Sequence, residues 1–261
     1  MSEKPAGFAP GTRPLVSVIT AAFNAEAFIA ETIASVQRQS LTDWEMLVAD
    51  DASSDSTAAI VQAAAEKDLR IKLLRLTENG GVGRARNAAL EQAQGRFIAF
   101  LDSDDLWLQE KLERQVAFMK QWDCAVSYTA FRRINEDGRQ LGRLFSIPDS
   151  LTYAQLLKNT AIATLTGMVD TQKTGPIRMT EVRRDDFILW LSILKRGFLA
   201  RGLQQDLARY RVVKGSLSSK PKRSAAWTWS VYRGVEKLNL IHAAWCMAHY
   251  GARAVLKRLV F

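Results

Sequence analysis

Two short acidic groups carry most of the chemistry open to this sequence. Asp102-Ser103-Asp104-Asp105 sets three carboxylates within four positions, directly after the apolar run Phe97-Ile98-Ala99-Phe100-Leu101. Side chains at i and i+2 of an extended segment point the same way, so Asp102 and Asp104 are able to face one ion. Hard oxygen donors suit Mg²⁺ or Mn²⁺, and Mg²⁺ held this way is usually shared with substrate phosphates. Several unpaired carboxylates at the end of a buried strand would otherwise be costly. The rival reading is that Asp104 or Asp105 caps a helix starting near Leu106-Trp107. Asp50-Asp51 follows a second apolar run, Trp44 to Ala49. Asp51 could accept hydrogen bonds from a nucleotide base; the alternative for Asp51 to Asp55 is an Asx turn and helix cap.

Three further stretches have two readings each. Gly80-Gly81-Val82-Gly83-Arg84-Ala85-Arg86-Asn87 brings flexible backbone and two guanidinium groups to a helix start, a setting that favours phosphate, although both arginines could be surface charges. It fits neither a Walker loop nor the dinucleotide fingerprint. Asp185-Asp186 opens a helix, where the dipole favours acids and where a general base facing a cleft would also sit well. His242 and His249 are seven apart, too far for two ligands of one metal, and read as packing or interface residues.

The elements that must position these groups alternate. Leu15 to Thr20 reads as a strand ending in Ala21-Ala22-Phe23-Asn24, followed by a helix from Glu26 to Gln39. Strands at 44–49, 71–76 and 97–101 alternate with helices at 56–67, capped by Asp55, at about 82–94 and at 107–121. This pattern predicts a doubly wound, mostly parallel α/β sheet, which binds ligands at the carboxyl ends of its strands. Beyond residue 123 we expect a strand from Ala125 to Arg132, a hairpin turn at Asn135 to Gly138 and a short helix from Tyr153. An extended Thr160 to Val169, a helix from Asp185 to Lys195 and a strand from Leu207 to Val213 follow.

The composition, 48% hydrophobic and 24% charged over 261 residues, is that of one large globular domain or a domain with an appendage. Two cysteines, Cys124 and Cys246, supply no disulfide framework, which suits a reducing cytosol, and Met1 to Pro5 lacks the apolar core of a signal peptide. We divide the chain into a loose leader (1–13), a catalytic domain (14–220, with a nucleotide-binding half to 122 and an acceptor half from 123) and a tail (221–261). The net charge of +9 gathers in that tail, where seven Lys and Arg face only Glu236. Basic residues interleaved with Trp227, Trp229, Trp245, Tyr232 and Tyr250 predict an interfacial helix on an anionic membrane surface, the alternative being a helix packed on the domain. A basic tail that is apolar rather than a polar stripe argues against nucleic acid as partner.

In order and spacing, Val16 to Asn24, Asp50 to Thr57, Ala85-Arg86-Asn87 and Asp102 to Trp107 resemble the family 2 glycosyltransferases with a GT-A fold. Asp185 to Trp190 and Tyr210 to Ser218 continue the resemblance more weakly. The whole chain is most like the bacterial teichuronic acid and surface-polysaccharide transferases. The resemblance implies inverting transfer from a nucleotide-diphosphate sugar, usually a UDP-sugar, to a glycan or lipid-linked acceptor on the cytoplasmic face of the membrane. It implies that Ala22, Phe23 and Asn24 line the donor site and that Asp51 contacts the base. Arg86 would lie near the nucleotide, Asp102 near the ribose, Ser103 in the donor site, Asp104 with Asp102 at Mg²⁺ or Mn²⁺, and Asp186 would be the catalytic base. Lys214 to Ser218 is expected to close over the bound donor. Most relatives have Glu-Asp where this chain has Asp185-Asp186. The Gln-x-x-Arg-Trp of processive synthases is absent, which favours addition of one sugar per encounter. The rivals are a binding scaffold that has lost catalysis and a sugar nucleotidyltransferase, whose Gly-rich basic loop after the first strand has no counterpart here. Monomer or homodimer is left open.

Overall fold

A computed structural model of the chain describes residues 13–213 and 221–259. Most of the leader and the stretch expected to close over the donor lie outside the described residues. The N-terminal half is built on four parallel strands, β1 (Val16–Ala22), β2 (Trp44–Asp50), β3 (Ile71–Arg75) and β4 (Phe97–Phe100), in the order β3-β2-β1-β4. β2 and β4 are buried along their whole length; β4 reads as an unbroken apolar run, and β2 is interrupted within its apolar stretch by Glu45, whose carboxylate accepts from Ser17 Oγ and pairs with Lys72. Alternate residues serve opposite faces. Val16, Val18, Met46 and Val48 pack under α1 (Ile29–Gln37), α2 (Thr57–Lys67) and α4 (Lys111–Gln121), while Ile19, Leu47 and Ala49 meet α3 (Val82–Gln92) and α7 (Asp185–Lys195). Ala22 of β1 is level with Asp50 of β2, so both strands deliver their following residues to one rim.

The remaining elements are β5 (Leu106–Trp107), β6 (Val126–Ile134), β7 (Leu141–Phe145), β8 (Ser150–Leu151), α5 (Tyr153–Leu156), β9 (Met168–Asp170), α6 (Thr171–Thr174), β10 (Ala200–Arg211), α8 (Pro221–Ser230) and α9 (Leu240–Leu259). They extend the sheet as β4-β9-β6-β10-β5. β9 is antiparallel to both β4 and β6, and β5 is antiparallel to β10. The expectation of a mostly parallel sheet therefore holds for the N-terminal half, and the whole sheet is mixed.

Three local expectations are corrected. No helix begins at Leu106-Trp107: that pair forms β5, held by register with Ala208 and Arg209 and by the Trp107 Nε1 donating to Leu165 O at 2.7 Å. The helix starts at Lys111, where the Gln39 side chain accepts from Leu112 N–H and donates to Leu108 O. The run from Thr160 to Val169 is not all extended, since Thr164–Thr166 forms a 3₁₀ turn before β9. Ser56, not Asp55, holds the N-cap position of α2. Asp55 instead accepts from the Thr57 amide at 3.0 Å and from the Glu26 amide at 3.1 Å, joining the first two loops.

The tail packs on the domain. Val231, Tyr232, Ala243 and Cys246 are buried in the same core as α7, and the Tyr232 hydroxyl donates to Leu157 O. Glu236 accepts from Tyr153 Oη at 2.6 Å and from Lys195 Nζ at 2.8 Å. Among the described residues no helix is long and apolar enough to cross a membrane.

Candidate active site

The carboxyl ends of β1, β2 and β4 form the rim on which the residues expected at the donor meet. Asn24 sits in the left-handed region (φ 47°), and its amide donates to Ser53 Oγ at 2.9 Å. Its Oδ1 accepts from Ser54 N–H at 2.9 Å, so the loops after β1 and β2 are laced together. Ala22 is buried at the end of β1, whereas Phe23 is half exposed and projects from this rim. Asp51 is buried with both oxygens engaged, Oδ1 by Gly80 N–H and Oδ2 by Gly81 N–H, each at 2.8 Å. That clamp shapes the turn before α3. Gly81 takes φ 88° there, a conformation in which glycine has no Cβ penalty. Gly83 serves packing: a Cβ on it would lie 2.4 Å from Thr180 O. Arg84 reaches outward to Glu78 at 2.8 Å, as a surface charge would.

Arg86 is the joint between the two halves. Its guanidinium is buried, with Nη1 donating to Asp185 Oδ2 at 2.6 Å and Nη2 donating to Asp102 Oδ1. Burial alone would lower its pKa; Asp102, Asp185 and Asp186 overcome that and hold it above the usual arginine value. Asp185 is buried, which pushes its carboxyl up despite the opposing Arg86. Asp186, one residue on and half exposed, accepts from Thr164 Oγ1 at 2.8 Å. Asp185 and Asp186 thus stand against the Asp102 to Asp105 turn with the buried Arg86 between.

Within that turn Asp104 is partly buried. Burial, and behind it the charge of Asp102, push its carboxyl up to about 6. Asp105 is fully buried, and burial with the charges of Asp104 and Asp102 raises its pKa well above the ordinary carboxylate value. Two carboxylates that disfavour each other's charge are a donor set that a divalent cation relieves. Among the described residues no three His, Cys, Asp or Glu side chains gather to hold a metal unaided. A site of one or two carboxylates completed by phosphate and water fits that arrangement.

Three residues escaped the sequence reading. Arg211, at the end of β10, is almost wholly buried: Nε donates to Asp104 O at 2.8 Å, Nη1 to Glu136 O at 2.8 Å and Nη2 to Glu31 Oε2 at 2.6 Å. Its own amide donates to Asp105 Oδ1 at 2.8 Å, so one residue sets the height of the acidic turn. Thr32 Oγ1 supports the same turn through Ser103 O and Asp105 O, both at 3.0 Å. Arg184 holds the N-cap position of α7 in the left-handed region (φ 71°), which costs backbone energy that its side chain offsets. Its Nη2 donates to Thr228 Oγ1 at 2.9 Å, Tyr250 Oη at 2.8 Å and Ser224 O at 3.4 Å, so α8 and α9 grip the start of the helix carrying Asp186. Tyr210-Arg211 belonged to the weaker part of the resemblance, which was the one available signal; Arg184 had none.

The fold and its acidic rim define a GT-A transferase. Similarity in fold extends to the crystal structure of S. aureus TarS 1–349 in complex with UDP-GlcNAc (TM-score 0.70, 24% identity, covering 90% of this chain and 71% of that one). It extends also to the mannosyltransferase PcManGT from Pyrobaculum calidifontis in complex with GDP-Man and Mn²⁺ (TM-score 0.68, 18% identity, 97% and 77%). Residues 17–173 match the Glycosyl transferase family 2 model, and the chain belongs to that family. It is 48% identical over 248 residues to the putative teichuronic acid biosynthesis glycosyltransferase TuaG of Bacillus subtilis, covering 95% of this chain and 98% of that protein. It is 40% identical over 218 residues to the UDP-Glc:α-D-GlcNAc-diphosphoundecaprenol β-1,3-glucosyltransferase WfgD of Escherichia coli, covering 83% and 85%. The chain is a glycosyltransferase of surface-polysaccharide biosynthesis.

Proposed function

We propose that this chain transfers one sugar, with inversion, from a UDP-sugar to a lipid-linked or polysaccharide acceptor, with Mg²⁺ or Mn²⁺ as cofactor, at the cytoplasmic face of the bacterial membrane. The observation that carries the reading is the Arg86 bridge, which sets Asp185-Asp186 opposite Asp102-Ser103-Asp104 across one rim. Asp51 contacts the uracil while its clamp on Gly80 and Gly81 keeps it in place, Ala22, Phe23, Asn24 and Ser103 line the donor, and Asp102 attends the ribose. Arg86 lies near the nucleotide by holding Asp102. Asp104, with Asp102, would hold the metal, which would offset the charge growing on the leaving diphosphate.

Asp186 takes the proton of the acceptor hydroxyl as the hydroxyl oxygen attacks the anomeric carbon, and the bond to the diphosphate breaks on the opposite face. The Thr164 hydroxyl orients that carboxylate. Such a base contributes typically ~10²–10⁴-fold. The WfgD name supports a lipid-diphosphate acceptor and a UDP donor, and the TarS complex supports a UDP-sugar.

The test is transfer from a panel of radiolabelled UDP-sugars to a polyprenyl-diphosphate sugar, with and without Mn²⁺, followed by NMR of the new linkage. A β-linked product from an α-linked donor is expected. A retained configuration, or hydrolysis of donor with no acceptor product, would refute the proposal.

A further inference from the structure

We infer that the outer face of α9 is a docking surface for an anionic lipid bilayer. From Leu240 to Ala252 the helix carries no Asp, Glu, Lys or Arg. Its inner side, with Ala243 and Cys246, is fully buried against the domain. On its outer side Ile241 is 84% exposed, Leu240 63% and Trp245 55%, with Ile241 and Trp245 one helical turn apart. Ala248 continues that exposed stripe. A contiguous apolar face of this kind is poorly placed in water and marks an interaction site.

Charge decides which occupant it fits. Glu236, the tail's single acid, is turned inward with its side chain 4% exposed and is paired with Lys195. The exposed charges among the described tail residues, Arg223, Arg233 and Lys237, are therefore all cationic, and Lys158 Nζ lies 6.0 Å from the Trp245 ring. A second copy of the chain would bring the same cationic rim against itself. An anionic headgroup layer complements it, with the apolar stripe immersed and Trp245 at the boundary. The helix is not one that crosses a membrane, so it lies along the surface. Tyr250 of the same helix accepts from Arg184, next to Asp185-Asp186, so a docked α9 presents the acceptor-side acids to molecules held in the bilayer. That last consequence rests on the transferase reading; the docking does not.

The experiment is co-sedimentation of the full chain with phosphatidylcholine vesicles, with and without phosphatidylglycerol, across a salt series, for the wild type, Ile241→Glu with Trp245→Glu, and Ala248→Glu alone. All three positions face solvent, and melting curves check that the variants stay folded. The expected result is pelleting that requires phosphatidylglycerol, weakens with salt, and falls about tenfold in the double variant and measurably in Ala248→Glu. Wild type that stays in the supernatant, or variants that pellet equally well, would overturn the inference. A concentration-dependent dimer abolished by the same substitutions would also overturn it and assign the face to a second copy. A chain that pellets as expected but transfers no sugar would count against the transferase reading alone.

Discussion

Replacing Arg86 by methionine tests the joint between the two halves of the site. Methionine fills much of the space left by the arginine stem but leaves Asp185, whose side chain is 6% exposed, and Asp102, 31% exposed, without their shared cation. Removing one partner of a buried ion pair typically costs about 3–5 kcal/mol, because the remaining charge stays buried and uncompensated. For a domain near this size each kcal/mol lowers Tm by about 2–4 °C, so a fall of roughly 10 °C is expected in a thermal melt. The pH dependence has a definite sign. Burial already raises Asp185 above its unfolded value of 3.8, and without Arg86 it rises further. The folded state then binds a proton that the unfolded state does not, so the penalty is relieved as pH falls toward the unfolded pKa and is fully present above the folded one. The Tm gap between wild type and variant therefore widens as pH rises through the folded pKa of Asp185 in the wild type toward its still higher value in the variant. Adding Asp185→Asn to Arg86→Met returns part of the lost stability by removing the uncompensated carboxylate. A Tm loss under about 2 °C, a gap that narrows with rising pH, or a double variant less stable than Arg86→Met would refute this account of the bridge.

Other substitutions separate binding from chemistry and packing. Asp186→Asn is expected to keep nucleotide affinity by calorimetry while transfer falls by ~10²–10⁴-fold; unchanged turnover would move the base elsewhere. Arg211→Lys forfeits the fork that spans Asp104 O, Glu136 O and Glu31, and should raise the donor KM more than it lowers kcat. Tyr250→Phe removes one acceptor for Arg184 and should cost about 1–2 kcal/mol in urea unfolding, with a larger fall in transfer than in donor binding. Gly167→Ala would bring a Cβ to 2.4 Å from the Trp190 ring, an overpacking expected to cost about 1–3 kcal/mol in the same assay.

The N-terminal half was legible because its central parallel strands are buried and largely apolar, each followed by the acids or turn residues of the rim, and they alternate with helices. Asp185–Lys195 was read to the residue from its apolar face and leading acids. The C-terminal half was harder. β9 is three residues inside an apolar, Thr-rich run, and β5 is two residues whose pairing with β10 overrides a helical pattern. Propensity over so few positions is too weak to outvote tertiary pairing. The acids of the site were likewise visible as acids, while their partners were not. Arg86 meets Asp185 across 99 positions, and Arg211 meets Glu31 across 180. A buried arginine that bridges carboxylates has the same local sequence as one in solvent.

The most direct measurement is calorimetric titration of UDP into the full chain with and without Mn²⁺, repeated on Asp104→Asn. A UDP affinity that rises with Mn²⁺ in the wild type and no longer responds to Mn²⁺ in Asp104→Asn is the predicted result. Equal UDP affinity with and without Mn²⁺, or a metal response that survives Asp104→Asn, would contradict the assignment of the acidic turn as a metal-dependent donor site.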